Sequence, residues 1–339
     1  MREFERLIRE QGMRSAIRDC GVVLAIAFGM ATSSPAVAAD GYPVKPVRMI
    51  VPYAPGGGSD FVARIIGQKV GEALGQTIVI DNRPGAAGML GTDLAANAAA
   101  DGYTLLLADA AFSINSSYYT KQAHYDAVKS FVPIALIADT PYLLMVHPGV
   151  PAATLKDFIA LARAQPGKLN VGSSGNGSGS HLVGELFKLK AGINMNHIPY
   201  KGAGPSTADV MAGQIQATLA GAAGVVALVK SGRLKALAAA SPKRNALLPD
   251  VPTFVESGFP DLIVANWYGV VAPAGTPAPV VQRHYDEIGR AISLPDVRER
   301  LANAALDPVT QRPGQFRELI ELEIKRWAQV IKDARIATE

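Results

Sequence analysis

The sequence predicts an α/β fold in two lobes, on three observations. Apolar runs of strand length alternate with stretches of helical spacing from residue 47 almost to the end. The runs are continuously apolar, as in parallel strands buried on both faces, instead of alternating with polar residues. Two extended segments, 138–144 and 262–269, bracket a central block of about 120 residues with strands and helices of its own. A chain that leaves one body and later returns makes two lobes with a cleft between them and a hinge beneath, a favoured place for a ligand. The expected division gives 40–139 and 265–339 to lobe 1 and 140–264 to lobe 2, joined by the two crossover segments.

Residues 1–39 read as a signal peptide. Arg2, Arg6, Arg9, Arg14 and Arg18 form a basic leader, diluted by Glu3, Glu5, Glu10 and Asp19, and an apolar run from Cys20 to Ala31 follows. That run is too short to span a bilayer. Ala36-Val37-Ala38 fits the small-x-small cleavage rule, so an exported, periplasmic protein is expected to begin near Ala39 or Asp40. Cys20, the only cysteine, precedes the apolar run and leaves with the peptide. The exported chain then has no thiol nucleophile, disulfide or thiolate metal site, and about 300 residues bury core enough to do without cross-links. Cleavage removes five of the 33 Lys and Arg and four of the 29 Asp and Glu, taking the net charge from +4 to +3. Charges are interspersed, with no basic run to suggest nucleic acid.

In chain order, strands are expected at 47–54, 77–81, 103–109, 134–139, 143–147, 169–173, 197–200, 215–220, 234–240 and 264–272. Helices are expected at 60–74, 87–99, 154–164, 180–191, 206–213, 222–231, 278–293, 295–304 and 313–334. The first helix is carried by Val62, Ile65, Ile66, Val70 and Leu74, which fall on one face. Thr154-Leu155-Lys156-Asp157, Ser206-Thr207-Ala208-Asp209 and Thr253-Phe254-Val255-Glu256 each read as a capping box, which gives Asp157 and Asp209 structural duties.

Four segments of small residues follow expected strands. The first is Pro52-Tyr53-Ala54-Pro55-Gly56-Gly57-Gly58-Ser59-Asp60, a glycine loop running from a strand into a helix. Such a helix start aims unpaired N–H groups at one point and attracts an anion. The second is Asp109-Ala110-Ala111-Phe112-Ser113-Ile114-Asn115, read as a loop. The third is Ser173-Ser174-Gly175-Asn176-Gly177-Ser178-Gly179-Ser180, with His181 opening a helix. The fourth is Tyr200-Lys201-Gly202-Ala203-Gly204-Pro205-Ser206. Ligands of open α/β sheets lie beyond the carboxyl ends of strands, and two loops per lobe would meet when the lobes close. Any one glycine loop has a steric explanation; four divided between two lobes favour a site. Asp60 sits awkwardly beside an anion and either caps the helix or accepts hydrogen bonds from a ligand. Lys201 is placed to balance a second carboxylate. His181, at a helix start, is expected to be a neutral hydrogen-bonding group.

Dinucleotide, Walker and H-E-x-x-H patterns are absent, and no G-x-S-x-G spells a nucleophile elbow. The five histidines have no i,i+4 pair, so neither a metal nor a cofactor is expected.

The motifs resemble one family, the periplasmic receptors of tripartite tricarboxylate transporters, also called Bug-type solute-binding proteins. They are Tyr42-Pro43, the first glycine loop, Asp81-Asn82-Arg83-Pro84-Gly85-Ala86-Ala87-Gly88, Asp101-Gly102-Tyr103-Thr104-Leu105-Leu106, Ser174-Gly175-Asn176-Gly177-Ser178 with His181-Leu182, Tyr200-Lys201-Gly202, and Ala272-Pro273-Ala274-Gly275-Thr276-Pro277. The resemblance implies a type II-like Venus flytrap that captures a small carboxylate without chemistry and docks on membrane permease subunits as a monomer. By motif it assigns the ligand to Gly57, Gly58, Ser59 and Asp60, to Ser174, Asn176 and Ser178, to Tyr200, Lys201 and Gly202, and to Ala111 and Phe112. Tyr53 stands where Phe is more usual and Ser59 where Thr is common, and both changes bear on what fits. A sensory co-receptor would carry the same site. A serine hydrolase using Ser178 or Ser59 lacks a base.

Overall fold

The computed structural model describes residues 41–120, 122, 124–333 and 335–338. The expected signal peptide, its cleavage motif and Cys20 lie outside them. Strands β1 (Val47–Val51), β2 (Ile78–Asn82) and β3 (Thr104–Asp109) are parallel, in the order β2-β1-β3. The long strand β4 (Phe131–Val146) is shared. Residues 131–141 of β4 pair antiparallel with β9 (Ala265–Pro273), which also borders β3. From Tyr142 onward β4 pairs instead with β7 (Ala217–Gly221) and β8 (Lys235–Ala239). There β5 (Asn170–Ser173) lies parallel between β7 and β6 (Asn196–Pro199). The sheet curls into two lobes that have β4 in common.

Side chains of β1 and β3 alternate between two apolar clusters, which is why these sequences are apolar almost throughout. Met49, Val51, Leu105 and Leu107 face one cluster with helix α1 (Gly58–Leu74), whereas Ile50, Leu106 and Ala108 face the other. Helix α1 buries the expected stripe, Val62, Ile65, Ile66, Val70 and Leu74. It stops at Gly75, whose φ of 67° suits glycine. The remaining helices are α2 (Met89–Ala96), α3 (Ala110–Tyr118), α4 (Leu155–Ala164), α5 (Gly179–Ala191), α6 (Ala203–Met211), α7 (Val226–Lys230), α8 (Ala278–Ser293), α9 (Pro295–Asn303) and α10 (Pro313–Asp333).

Several expectations are corrected. The sheet is mixed, because the two strands that carry the chain between lobes, β4 and β9, run antiparallel to their neighbours. Strands expected at 134–139 and 143–147 are one, because Thr140 and Pro141 continue the ladder with β9. The segment 110–118 is helix α3, not loop. Its N-cap is Asp109, whose carboxylate accepts the Ala111 N–H, a signal that small, unpatterned residues hid. Strand β10 (Asp307–Gln311), which pairs with β4, carries little apolar sequence and was not expected. The Thr154 capping box is present. That at Thr253 closes a turn and opens no helix. Ser206 is no cap, since α6 already begins at Ala203. Its hydroxyl bonds Thr218, and Asp209 accepts from the Tyr200 hydroxyl.

Candidate ligand-binding site

Four helices begin on one cavity. Gly57, Gly58 and Ser59 at the start of α1 line it, as do Ser178, Gly179 and Ser180 at the start of α5. Asp109, the N-cap of α3, and Ala203, the first residue of α6, complete the ring of helix ends. The first N–H groups of a helix have no partner within it, and no side chain caps α1 or α6. The macrodipoles add partial positive charge where the helices meet. Among the described residues that line the cavity, none is Lys, Arg or His.

Beneath the helix ends runs a relay from the two crossing strands. Tyr142 Oη of β4 donates to Asn266 Oδ1 at 2.9 Å, and Asn266 Nδ2 donates to Tyr268 Oη at 2.8 Å, both from β9. The Tyr268 hydroxyl keeps its own proton to donate. Each tyrosine packs against one helix start. A Cβ on Gly58 would overlap Tyr268 Oη and lie 3.2 Å from its Cζ, and one on Gly179 would overlap Tyr142 Oη and lie 2.8 Å from its Cζ. Both positions therefore need glycine for close approach.

The carboxylate inside the cavity is Asp109. It is 9 % exposed, and its Oδ1 accepts from Tyr53 Oη and from Ala111 N–H, each at 3.0 Å. Burial pushes its pKa up to about 7, against the pull of those two hydrogen bonds. Tyr53 is raised well above its ordinary value by burial and by the neighbouring Asp109.

Of the residues singled out from sequence, Tyr53, Gly57, Gly58, Ser59, Ser174 and Ser178 line the cavity. Asp60 does not. It lies inside the first turn of α1, not at its cap, and accepts from Gly56 N–H, from Arg64 in a bidentate pair and from Asn82. Burial works to raise its pKa, but those hydrogen bonds outweigh it and hold it low. Ala111 and Phe112 turn into the core, where Phe112 stacks on Tyr125 and meets Phe131 edge-on. Tyr200 Oη donates to Asp209 of α6. Lys201 is exposed, and its carbonyl accepts the Ala54 N–H at 2.9 Å. Gly202, at φ 135°, lets the fourth loop press on the first, since a Cβ there would lie 3.3 Å from Ala54 N. The Asn176 carbonyl accepts from Tyr119 Oη at 2.6 Å. The fourth segment thus meets the first, and the third meets Tyr119, just past the second.

His181 faces a second, smaller cavity with Ser173, Glu185, Lys188 and His197. Its ring stacks on His197 at 4.1 Å, and its Nδ1 accepts the Gly177 N–H. Burial lowers its pKa to about 4, so it is neutral as expected.

Sequence reasoning missed Asp109, Tyr142, Asn266 and Tyr268 as lining residues. The last three lie in the two crossover segments, where polar rings and an amide interrupt apolar runs, and that was the available signal.

The family model for the tripartite tricarboxylate transporter family receptor matches residues 62–336. The chain belongs to this receptor family. Protein BugT of Bordetella pertussis is 36% identical over 312 residues, covering 92% of this chain and 96% of that one. Among solved structures, the periplasmic binding protein BugD is similar at a TM-score of 0.86 and 33% identity, covering 88% of this chain and 100% of its own. An R. palustris protein solved with adipate is similar at a TM-score of 0.84 and 32% identity, covering 87% and 99%. The two solved structures share the fold over most of the chain.

Proposed function

We propose that this protein is a periplasmic receptor that holds a small carboxylate in the cavity between its lobes and hands it to the permease subunits of a tripartite transporter. The observation that carries this reading is the convergence of four helix starts on one cavity whose described lining residues include no cationic side chain. Unpaired N–H groups bind a carboxylate without a buried counter-charge that would slow release. The adipate bound by the R. palustris relative supports the same ligand class.

The lobes divide at 139/140 and 264/265, beside the point where β4 changes partners. Opening and closing about these crossings would admit and trap the ligand, with residues 1–39 as a cleaved export signal and the receptor acting as a monomer. Gly57, Gly58, Ser59, Ser174 and Ser178 are the sequence-derived residues we assign to the ligand. Catalysis is not part of the reading. Ser178 Oγ donates to the Gly175 carbonyl and caps α5, and Ser173, which meets His197 at 2.6 Å, is 1% exposed and engaged with Gly175.

A thermal-shift screen of the purified protein against carboxylates tests this. Ligand at 100-fold over its Kd adds about 2.7 kcal/mol, a rise of roughly 5–10 °C for a domain of this size. Turnover of an ester, with no acid raising the melting temperature, would overturn the reading.

A further inference from the structure

The site's charge is set by Asp109, and this has a consequence for the ligand. A carboxylate held by the starts of α1 and α5 shares the cavity with a second, resident carboxyl group. Asp109 takes both of its hydrogen bonds on Oδ1, from Tyr53 and Ala111, and Oδ2 has no hydrogen bond among the described residues. No lysine, arginine or histidine among the described lining residues offsets it. Asp60, the acid the glycine loop suggested, is already matched by Arg64 and Asn82 outside the cavity.

Building on the receptor reading, we propose that the ligand is a monocarboxylate carrying a hydrogen-bond donor, an ammonium or hydroxyl group. Its carboxylate lies on the helix starts, its donor group is accepted by Asp109 Oδ2, and a second carboxylate is rejected. An ammonium or hydroxyl satisfies the remaining oxygen of a buried acid, whereas a second carboxylate sets like charges together in a low-dielectric site. The Tyr142–Asn266–Tyr268 relay adds polar groups to the cavity wall.

Matched ligands test this by isothermal titration at pH 8, with endogenous ligand first removed. The sets are malonate, β-alanine and 3-hydroxypropanoate; succinate, 4-aminobutyrate and 4-hydroxybutyrate; adipate, 6-aminohexanoate and 6-hydroxyhexanoate; with benzoate as an acid lacking a donor. In at least one set the amino or hydroxy acid should bind tenfold or more tighter than the dicarboxylate. Asp109→Asn keeps the Oδ1 acceptor for Tyr53 and Ala111 and should shrink that ratio at least tenfold. Should the variant fail to fold, the ratio on the unaltered protein decides alone. No tenfold preference in any set, benzoate binding as tightly as the best donor-bearing acid, or a ratio unchanged in a folded Asp109→Asn protein overturns the inference and leaves the receptor reading standing. Binding of no acid at all would instead sink the receptor reading itself.

Discussion

Replacing Gly58 with alanine inserts a methyl group into the contact between the start of α1 and the Tyr268 hydroxyl. That methyl would overlap Oη, lie 3.2 Å from Cζ and sit 3.1 Å from the Ala223 methyl. Tyr268 has little room to yield, since its ring is 2% exposed and its hydroxyl is held by Asn266. Forced overpacking of this kind costs about 1–3 kcal/mol. Because Tyr268 belongs to the same apolar cluster as Val62, Ile65 and Ile66 of α1, the cost appears in the ligand-free protein as a melting temperature several degrees lower. Binding should fall as well, by tenfold or more, because the methyl displaces both an N–H-bearing turn and a cavity hydroxyl. A double-mutant cycle isolates the cause. Tyr268→Phe removes Oη, so the Gly58→Ala, Tyr268→Phe double variant should recover part of the stability lost by Gly58→Ala, with a coupling of about 1 kcal/mol or more. Strict additivity of the two changes would refute the steric account of this glycine.

Three further outcomes are expected. Gly179→Ala, which meets Tyr142 as Gly58 meets Tyr268, should weaken carboxylate binding to a similar degree, read by isothermal titration; unchanged affinity would remove the α5 start from the site. Asp109 keeps its proton up to about pH 7 in the folded state but loses it near 3.8 when unfolded, so the native state binds the extra proton between these values and stability falls as pH rises through that window. Asp109→Asn should therefore raise the unfolding free energy most at pH 8, by up to about 4 kcal/mol, and hardly at all near pH 4, read from denaturant titrations. Burial holds His181 at about 4, His197 at about 3 and His284 at about 4, so the unfolded chain takes up these protons first. Stability should drop as pH falls from about 6.5 towards 4, and His197→Gln should flatten that drop in urea titrations.

Much of the fold was legible because burial on both faces writes apolar strands into the sequence, as at Val47–Val51 and Thr104–Asp109. Strand direction was not legible, since β4 and β9 are as apolar as the parallel strands beside them and differ only in their connections. Helix α3 hid because Ala110, Ala111, Ser113 and Ser116 carry no period, and its start rests on the single cap of Asp109. At the site, glycine loops were visible because close approach demands glycine, as Gly58 and Gly179 demonstrate. Which acid enters the cavity was not visible, because Asp60 and Asp109 look alike in sequence, and only the fold shows that Arg64 and Asn82 reach Asp60 and not Asp109.

The most direct measurement is a crystal structure of the protein with a carboxylate that stabilises it. The account places the carboxylate oxygens at hydrogen-bond distance, about 2.7–3.2 Å, from the N–H groups of Gly58 or Ser59 and of Gly179 or Ser180, with no cationic side chain in contact. A carboxylate bound instead by a lysine or arginine, or seated in the second cavity beside His181 and His197, would contradict it.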